Sequence, residues 1–128
     1  MSEKTKTELI YPDLSFQIMG ILFEVHNKLG TKYLEKHYQN AIETKLKMLG
    51  IPYEREVRME VHFEGEKLGD FFADFIIDNK ILLETKVAWR LTMNDVKQVL
   101  RYLDALSLKL AILANFKHPR LECRRVVK

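Results

Sequence analysis

The sequence predicts an α/β (α+β) fold in which helices flank a mixed sheet of four to five strands, in the order ααβββαβ. Three observations lead to this prediction. Apolar residues recur at spacings of three and four up to residue 49, which is typical of helices. Apolar and charged residues then alternate along residues 57–63, which is typical of a half-buried strand. A later strand–helix–strand succession with short links predicts a parallel crossover.

Two helices are predicted in the first half of the chain. The first runs from Pro12 to Leu29 with one apolar face, and Gly30 is a natural stop. The second runs from about residue 33 to residue 49 and is ended by Gly50 and Pro52. Because the connection between them is short, we expect an antiparallel helical hairpin.

The second half of the chain predicts the sheet and one further helix. We expect strands at residues 57–63, 68–77, 81–87 and 109–114, and a short edge strand at 125–127. Thr92 is the predicted N-cap of a helix from Met93 to Leu106, because Asp95 occupies its third position as in a capping box. The strand at 109–114 is almost wholly apolar, which predicts an interior position in the sheet.

Length and composition predict a soluble domain with a real core. The 128 residues suit one domain, and we expect a flexible tail at residues 1–12 and a single domain at 13–128. The chain contains neither a membrane-spanning apolar run nor the apolar core of a signal peptide. Its single cysteine, Cys123, cannot form an internal disulfide and favours a reducing, cytoplasmic location. The net charge of +3 permits a polyanionic partner without predicting one.

In the hairpin of residues 69–86, three charged residues stand where apolar strand residues are expected: Asp74, Glu84 and Lys86. Burial of a charge is costly unless the charge is paired or binds a metal. The pattern acidic-x-Lys occurs four times in the chain, but only Glu84 and Lys86 lie on a predicted strand, where residues two apart share a face. The hairpin is therefore the first candidate for a functional site.

The length of the hairpin turn decides how these residues face one another. A three-residue turn at 78–80 pairs residue 77 with residue 81, which places Asp74 opposite Glu84 on one face. A two-residue turn would place them on opposite faces. Two adjacent carboxylates repel each other, and either protonation of one or a divalent cation relieves that repulsion. Oxygen ligands favour Mg²⁺ or Mn²⁺, whereas a buried Asp–Lys–Glu ion cluster without chemistry remains the alternative.

At these residues the chain resembles the PD-(D/E)xK nuclease superfamily. Asp74 is followed ten residues later by Glu84 and then by Lys86, as in the core of that superfamily. The next helix carries Gln98 and Tyr102 as Q-x-x-x-Y, which resembles the RecB-like branch.

The first half of the chain resembles the GxxExxY family within that superfamily. The segment LFEVHNKLGTKYLEKHY at residues 22–38 is similar to the family signature, with Glu35 and Tyr38 at the named positions and Lys32 where the family has glycine. Residues 49–57 and 110–116 are similar as well, so that the resemblance covers roughly residues 14–127.

The resemblance implies a restriction-endonuclease-like core and a metal-dependent nuclease that uses Mg²⁺ or Mn²⁺. Asp74 and Glu84 would hold the metal, helped by Glu35 and the Thr85 carbonyl, and Lys86 would assist the attacking water. Gln98 would reach a phosphate or orient Lys86. Two alternatives stay open: a non-catalytic module on the same fold that binds nucleic acid or protein, and a structural interaction domain.

Further residues are candidates for contact with nucleic acid, which we expect as DNA more than RNA. These candidates are basic or aromatic: Lys32, Lys36, Tyr102, Trp89 and Arg90. Each also has an ordinary interpretation as a solvated surface or core residue. His26 and Tyr38 are minor candidates, since a lone histidine on an apolar helix face is more often a packed core residue. The modest net charge favours help from a homodimer or a partner protein, and no membrane partner is expected.

Overall fold

Over residues 10–128, which the computed structural model describes, the chain forms three helices and five strands. The helices are α1 (Pro12–Leu29), α2 (Glu35–Met48) and α3 (Met93–Leu106). The strands are β1 (Tyr53–Phe63), β2 (Glu66–Ile77), β3 (Ile81–Lys86), β4 (Leu110–Asn115) and β5 (Glu122–Val127). The predicted class of fold is confirmed. The expected tail falls mostly on residues 1–9, which lie outside the described residues.

The five strands form one mixed sheet in the order β1-β2-β3-β4-β5. Strands β3 and β4 are parallel and are joined through α3, whereas the other neighbours are antiparallel. The predicted parallel crossover is therefore confirmed. All six residues of β4 are buried, as expected for an apolar strand covered on both faces. None of the helices within residues 10–128 is long and apolar enough to cross a membrane.

Two separate apolar cores lie on the two faces of this sheet. Helices α1 and α2 pack on one face, where Ile81 and Leu83 of β3 meet them. Helix α3 packs on the other face, where Leu82 lies. Because side chains alternate along a strand, Glu84 and Lys86 belong to the α3 face, and Thr85 between them belongs to the α2 face. The central strand can thus present polar groups to both helical layers.

The β2–β3 turn has the predicted three-residue length. Ile77 pairs with Ile81, and the pairing continues to Phe75 and Leu83. The turn contains no glycine, but Asp78 and Asn79 adopt the left-handed conformation at φ 52° and 54°. Asp and Asn tolerate this conformation better than other non-glycine residues do. The predicted register is therefore confirmed as far as Phe75 and Leu83.

Along β2, the regular alternation of side chains between the two faces of the sheet is interrupted just before Phe75. Ala73 packs with the α3 core, whereas Phe75, two residues later, packs with the α1–α2 core. On the neighbouring strand, Glu56 lies in the left-handed region at φ 53° between the paired residues Arg55 and Val57. Irregularities of this kind bend a strand and re-aim its side chains. Asp74 occupies the break.

Candidate functional site

The candidate site lies where β2 and β3 stop pairing. The last paired residues are Phe75 and Leu83, so Asp74 and Glu84 come immediately beyond the ladder. Beyond the ladder, side-chain carboxylates accept hydrogen bonds from the backbone N–H groups of the opposite strand. Glu84 Oε2 accepts a hydrogen bond from the Asp74 backbone N–H at 2.6 Å, and Asp74 Oδ2 accepts one from the Thr85 N–H at 2.8 Å. Each carboxylate therefore takes the place of a backbone carbonyl of the partner strand and is anchored by one backbone hydrogen bond.

The environment of Glu84 strongly disfavours its charged form. Its side chain is only 4% exposed. Loss of hydration, followed by the nearby charge of Asp74, raises the pKa of Glu84 to about 9, against an ordinary value of 4.5. Lys86 acts in the opposite direction but with less effect. A positive charge bound beside Glu84 would oppose this shift.

Helix α2 brings a third carboxylate to the site from the opposite face of the sheet. The Thr85 hydroxyl lies 3.0 Å from Asp74 Oδ2 and 3.4 Å from Glu35 Oε1, so it stands between the two carboxylates. Burial and the charge of Asp74 raise the pKa of Glu35. The break in β2 at Asp74 explains how residues from both faces of the sheet reach one place.

A hydrogen-bond network that supports Glu35 was not predicted from the sequence. Gln39 Nε2 donates to Thr85 Oγ1 at 2.9 Å and to Glu35 Oε1 at 3.3 Å. Arg55 donates to Gln39 Oε1 at 3.2 Å and to Glu43 at 2.9 Å. Because Arg55 can only donate, the carbonyl end of the Gln39 amide faces Arg55 and its NH₂ faces the site. The available sequence signal was the spacing of four between Glu35 and Gln39, which places them on one helical face.

Helix α3 positions the lysine. Lys86 Nζ donates to Gln98 Oε1 at 3.1 Å and lies 3.9 Å from Asp95 Oδ1. Tyr102, one turn after Gln98, is buried, and the pKa of its hydroxyl is raised by burial and then by the charge of Glu84. The structure therefore brings Glu35, Asp74, Glu84 and Lys86 into one neighbourhood, with Gln98 beside the lysine.

The remaining candidates lie in different surroundings. His26 is buried and its Nε2 donates to the His118 carbonyl at 2.7 Å. Tyr38 is buried, stacks on a core aromatic ring, and donates to the Gly30 carbonyl at 2.6 Å. The Tyr38 contact holds the loop between α1 and α2, whereas the His26 contact holds the segment between β4 and β5. The other four are at or near the surface: Lys32, Lys36, Trp89 and Arg90.

The oxygen donors of the site suit a hard divalent cation. Over residues 10–128, no three His, Cys, Asp or Glu side chains form a group arranged to hold a metal ion. Magnesium, however, keeps several waters and is commonly held by one or two carboxylates together with the phosphates of a substrate. Asp74 and Glu84 supply that kind of donor pair, and a cation there would offset the charge that their burial disfavours.

Comparison with known proteins identifies the superfamily. A family model described as the PD-(D/E)XK nuclease superfamily matches residues 12–126. Among solved structures, the crystal structure of SSO0001 has a similar fold, with a TM-score of 0.59 and 24% sequence identity over 73% of this chain and 50% of that chain. At this identity the similarity concerns the fold alone, and the chain spans half the length of that neighbour. No curated protein matches the chain.

Proposed function

Because the chain belongs to the PD-(D/E)XK nuclease superfamily, we propose that it is a metal-dependent nuclease that hydrolyses phosphodiester bonds of nucleic acid. The observation that carries this proposal is the carboxylate pair at the end of the β2–β3 ladder. Asp74 and Glu84 are each anchored by a backbone N–H, and the pKa of Glu84 is raised to about 9. A buried pair of carboxylates, one with a strongly raised pKa, is typical of a site that binds a cation.

In the proposed site, Asp74 and Glu84 hold Mg²⁺ or Mn²⁺, with help from Glu35 and the Thr85 carbonyl. The cation, when bound, supplies positive charge that offsets the charge of the phosphate during in-line displacement. The chain's own residues do the positioning. Thr85 separates Asp74 from Glu35 through its hydroxyl, and the backbone hydrogen bonds hold both strand carboxylates in place.

Lys86 has the role of orienting the attacking water and stabilising developing negative charge. Its ammonium group donates one hydrogen bond to Gln98, which leaves two N–H donors for the water and the phosphate. Gln98 accordingly holds the ammonium group at the mouth of the site. Asp95 lies near the same group and contributes a weaker attraction at 3.9 Å.

We propose the finer family assignment as well: a GxxExxY protein of the RecB-like branch. Glu35 and Tyr38 at the start of α2 support the first part, and Gln98 and Tyr102 on α3 support the second. We also propose that residues 13–128 are a single domain, that the protein is cytoplasmic, and that DNA is its substrate more than RNA. A homodimer or a partner protein would strengthen binding, because the net charge is only +3.

The proposed activity is tested by incubating the protein with single-stranded, duplex, flapped and junction DNA and with RNA. We expect cleavage of at least one substrate with Mg²⁺ or Mn²⁺ and none with EDTA. Calorimetry with each metal is expected to show a site that Glu84→Ala removes. Absence of any site-dependent metal binding would contradict the nuclease, whereas metal-independent binding of nucleic acid without cleavage would favour the non-catalytic module.

A second prediction concerns the network behind Glu35. Replacement of Gln39 with alanine removes the amide that holds Glu35 and Thr85, so metal affinity is expected to fall by about 10- to 100-fold, the usual effect of losing a group that orients a ligand. Calorimetric titration with Mn²⁺ measures this. Gln17→Ala on the exposed surface of α1 is the matched control. Unchanged affinity in Gln39→Ala would contradict the role of Gln39 in orienting Glu35 for a metal.

A further inference from the structure

An exposed aromatic side chain stands beside the candidate site on an unusually well anchored loop. Trp89 is 77% exposed and follows Lys86, the last residue of β3, by three positions. Three residues of chain span at most about 11 Å, so Trp89 belongs to the surroundings of the proposed active site. It is also the one tryptophan in the sequence.

Hydrogen bonds hold the backbone on both sides of this residue. Asn115, which is buried at the end of β4, accepts from the Ala88 N–H at 3.0 Å and donates to the Ala88 carbonyl at 2.8 Å. His118 Nε2 donates to the Trp89 carbonyl, and the two rings lie edge to face with their centroids 5.4 Å apart. His118 is in turn held by His26, which donates to its carbonyl at 2.7 Å. The indole ring is therefore exposed on a backbone that is already ordered.

The two loops that carry these rings have a net positive charge. Residues 87–92 follow β3 and residues 116–121 follow β4, and because the two strands are parallel, both loops lie at the same edge of the sheet. Neither loop contains an Asp or a Glu. Together they contain three exposed cationic residues, which are Arg90, Lys117 and Arg120. This edge therefore combines an aromatic face with positive charge.

We propose that Trp89, supported edge-on by His118, is a stacking platform for an unpaired nucleobase, and that the protein binds single-stranded nucleic acid at this edge. The inference rests on the proposed function and adds the kind of strand that the site accepts. Aromatic side chains in a positive groove bind single strands by stacking on the bases, largely independently of sequence. In a duplex both faces of an internal base are covered, and exposing one costs unstacking energy. A platform of this kind therefore selects unpaired strands, and its prior ordering reduces the entropy lost on binding.

Because Trp89 is the one tryptophan, its fluorescence reports on the platform directly. The full chain is titrated in EDTA, where no cleavage occurs, with an oligothymidylate and with a blunt duplex of equal length. We expect saturable quenching by the single strand and markedly weaker quenching by the duplex. Equal affinity and equal quenching with the duplex would overturn the proposal, as would tight binding of the single strand with unchanged emission.

Variants separate the platform from general electrostatic binding. Loss of a stacking side chain weakens binding by about 5- to 150-fold, and we expect Trp89→Ala to lose affinity by a factor in that range. Fluorescence anisotropy of a labelled oligothymidylate measures the affinity. Trp89→Phe keeps an aromatic face and is expected to retain most of the affinity. Phe16→Ala, which removes a ring of similar exposure on α1, is the control. Wild-type affinity in Trp89→Ala would overturn the platform.

Failure of this proposal and failure of the proposed function give different results. Quenching of the wild-type tryptophan and the loss of affinity in Trp89→Ala are both measured without metal, so both results stand even in a protein that cleaves nothing. Conversely, the wild type could cleave with Mg²⁺ while Trp89→Ala binds single strands as tightly as the wild type does. The protein would then be a nuclease without this platform.

Discussion

The Lys86→Ala variant is expected to lose about 10²- to 10⁴-fold in the rate of metal-dependent cleavage, the usual contribution of a positioned group that handles the nucleophile or a developing charge. Lys86 is half-buried at the end of β3, and its ammonium group is directed by Gln98 at 3.1 Å. Its loss removes a cation that lowers the pKa of both Glu84 and Glu35. Single-turnover cleavage assays at saturating Mg²⁺ measure the effect.

The chain supplies a matched control for this variant. Lys80 belongs to the same acidic-x-Lys pattern with Asp78, but it lies in the β2–β3 turn and pairs with Asp78 at 3.2 Å on the surface. Lys80→Ala is expected to cleave as fast as wild type. Metal affinity of Lys86→Ala, measured by calorimetry, is expected to stay within a few-fold, because Lys86 is not a ligand. Wild-type cleavage by Lys86→Ala would remove the lysine from the proposed mechanism.

The second large effect is on stability and its dependence on pH. The pKa of Glu84 is about 9 in the folded protein and near its ordinary 4.5 when unfolded. Between these values the folded state keeps a proton that the unfolded state has lost, so the free energy of unfolding falls as pH rises, with a limiting slope of about 1.4 kcal/mol per pH unit. The contribution of Glu84 to the free energy of unfolding is thus fully present below about pH 4.5 and is lost by about pH 9.

Glu84→Gln isolates this effect. The glutamine carbonyl can still accept the Asp74 backbone N–H, but the amide does not titrate. We therefore expect the variant to become increasingly more stable than wild type as pH rises from 5 towards 9, by roughly the slope above. Urea unfolding in EDTA at several pH values measures the difference. Glu54→Gln on the exposed surface of β1 is the control, and a difference between Glu84→Gln and wild type that does not change with pH would contradict the raised pKa.

Local pattern was sufficient for most of the fold. The capping box of Thr92 and Asp95 and the apolar spacing after it predicted α3 with its observed bounds. The confirmed register of β2 and β3 followed from an odd-length turn between two apolar runs. The start of β1 was predicted four residues late. Residues 53–56 are mostly charged, and their strand conformation depends on pairing with β2, which no local pattern records.

The candidate site divides in the same way. By itself, the sequence singled out the residues that we propose carry the chemistry, because charged residues on apolar strands are conspicuous: Asp74, Glu84 and Lys86. Only the tertiary structure decided how they meet. The ladder stops before Asp74, the alternation along β2 breaks there, and Thr85 and Gln39 connect the strand pair to Glu35 on the opposite face. A strand pattern specifies the face on which a side chain lies, but the contacts between the two faces depend on where the strands separate, and packing of both helical layers decides that.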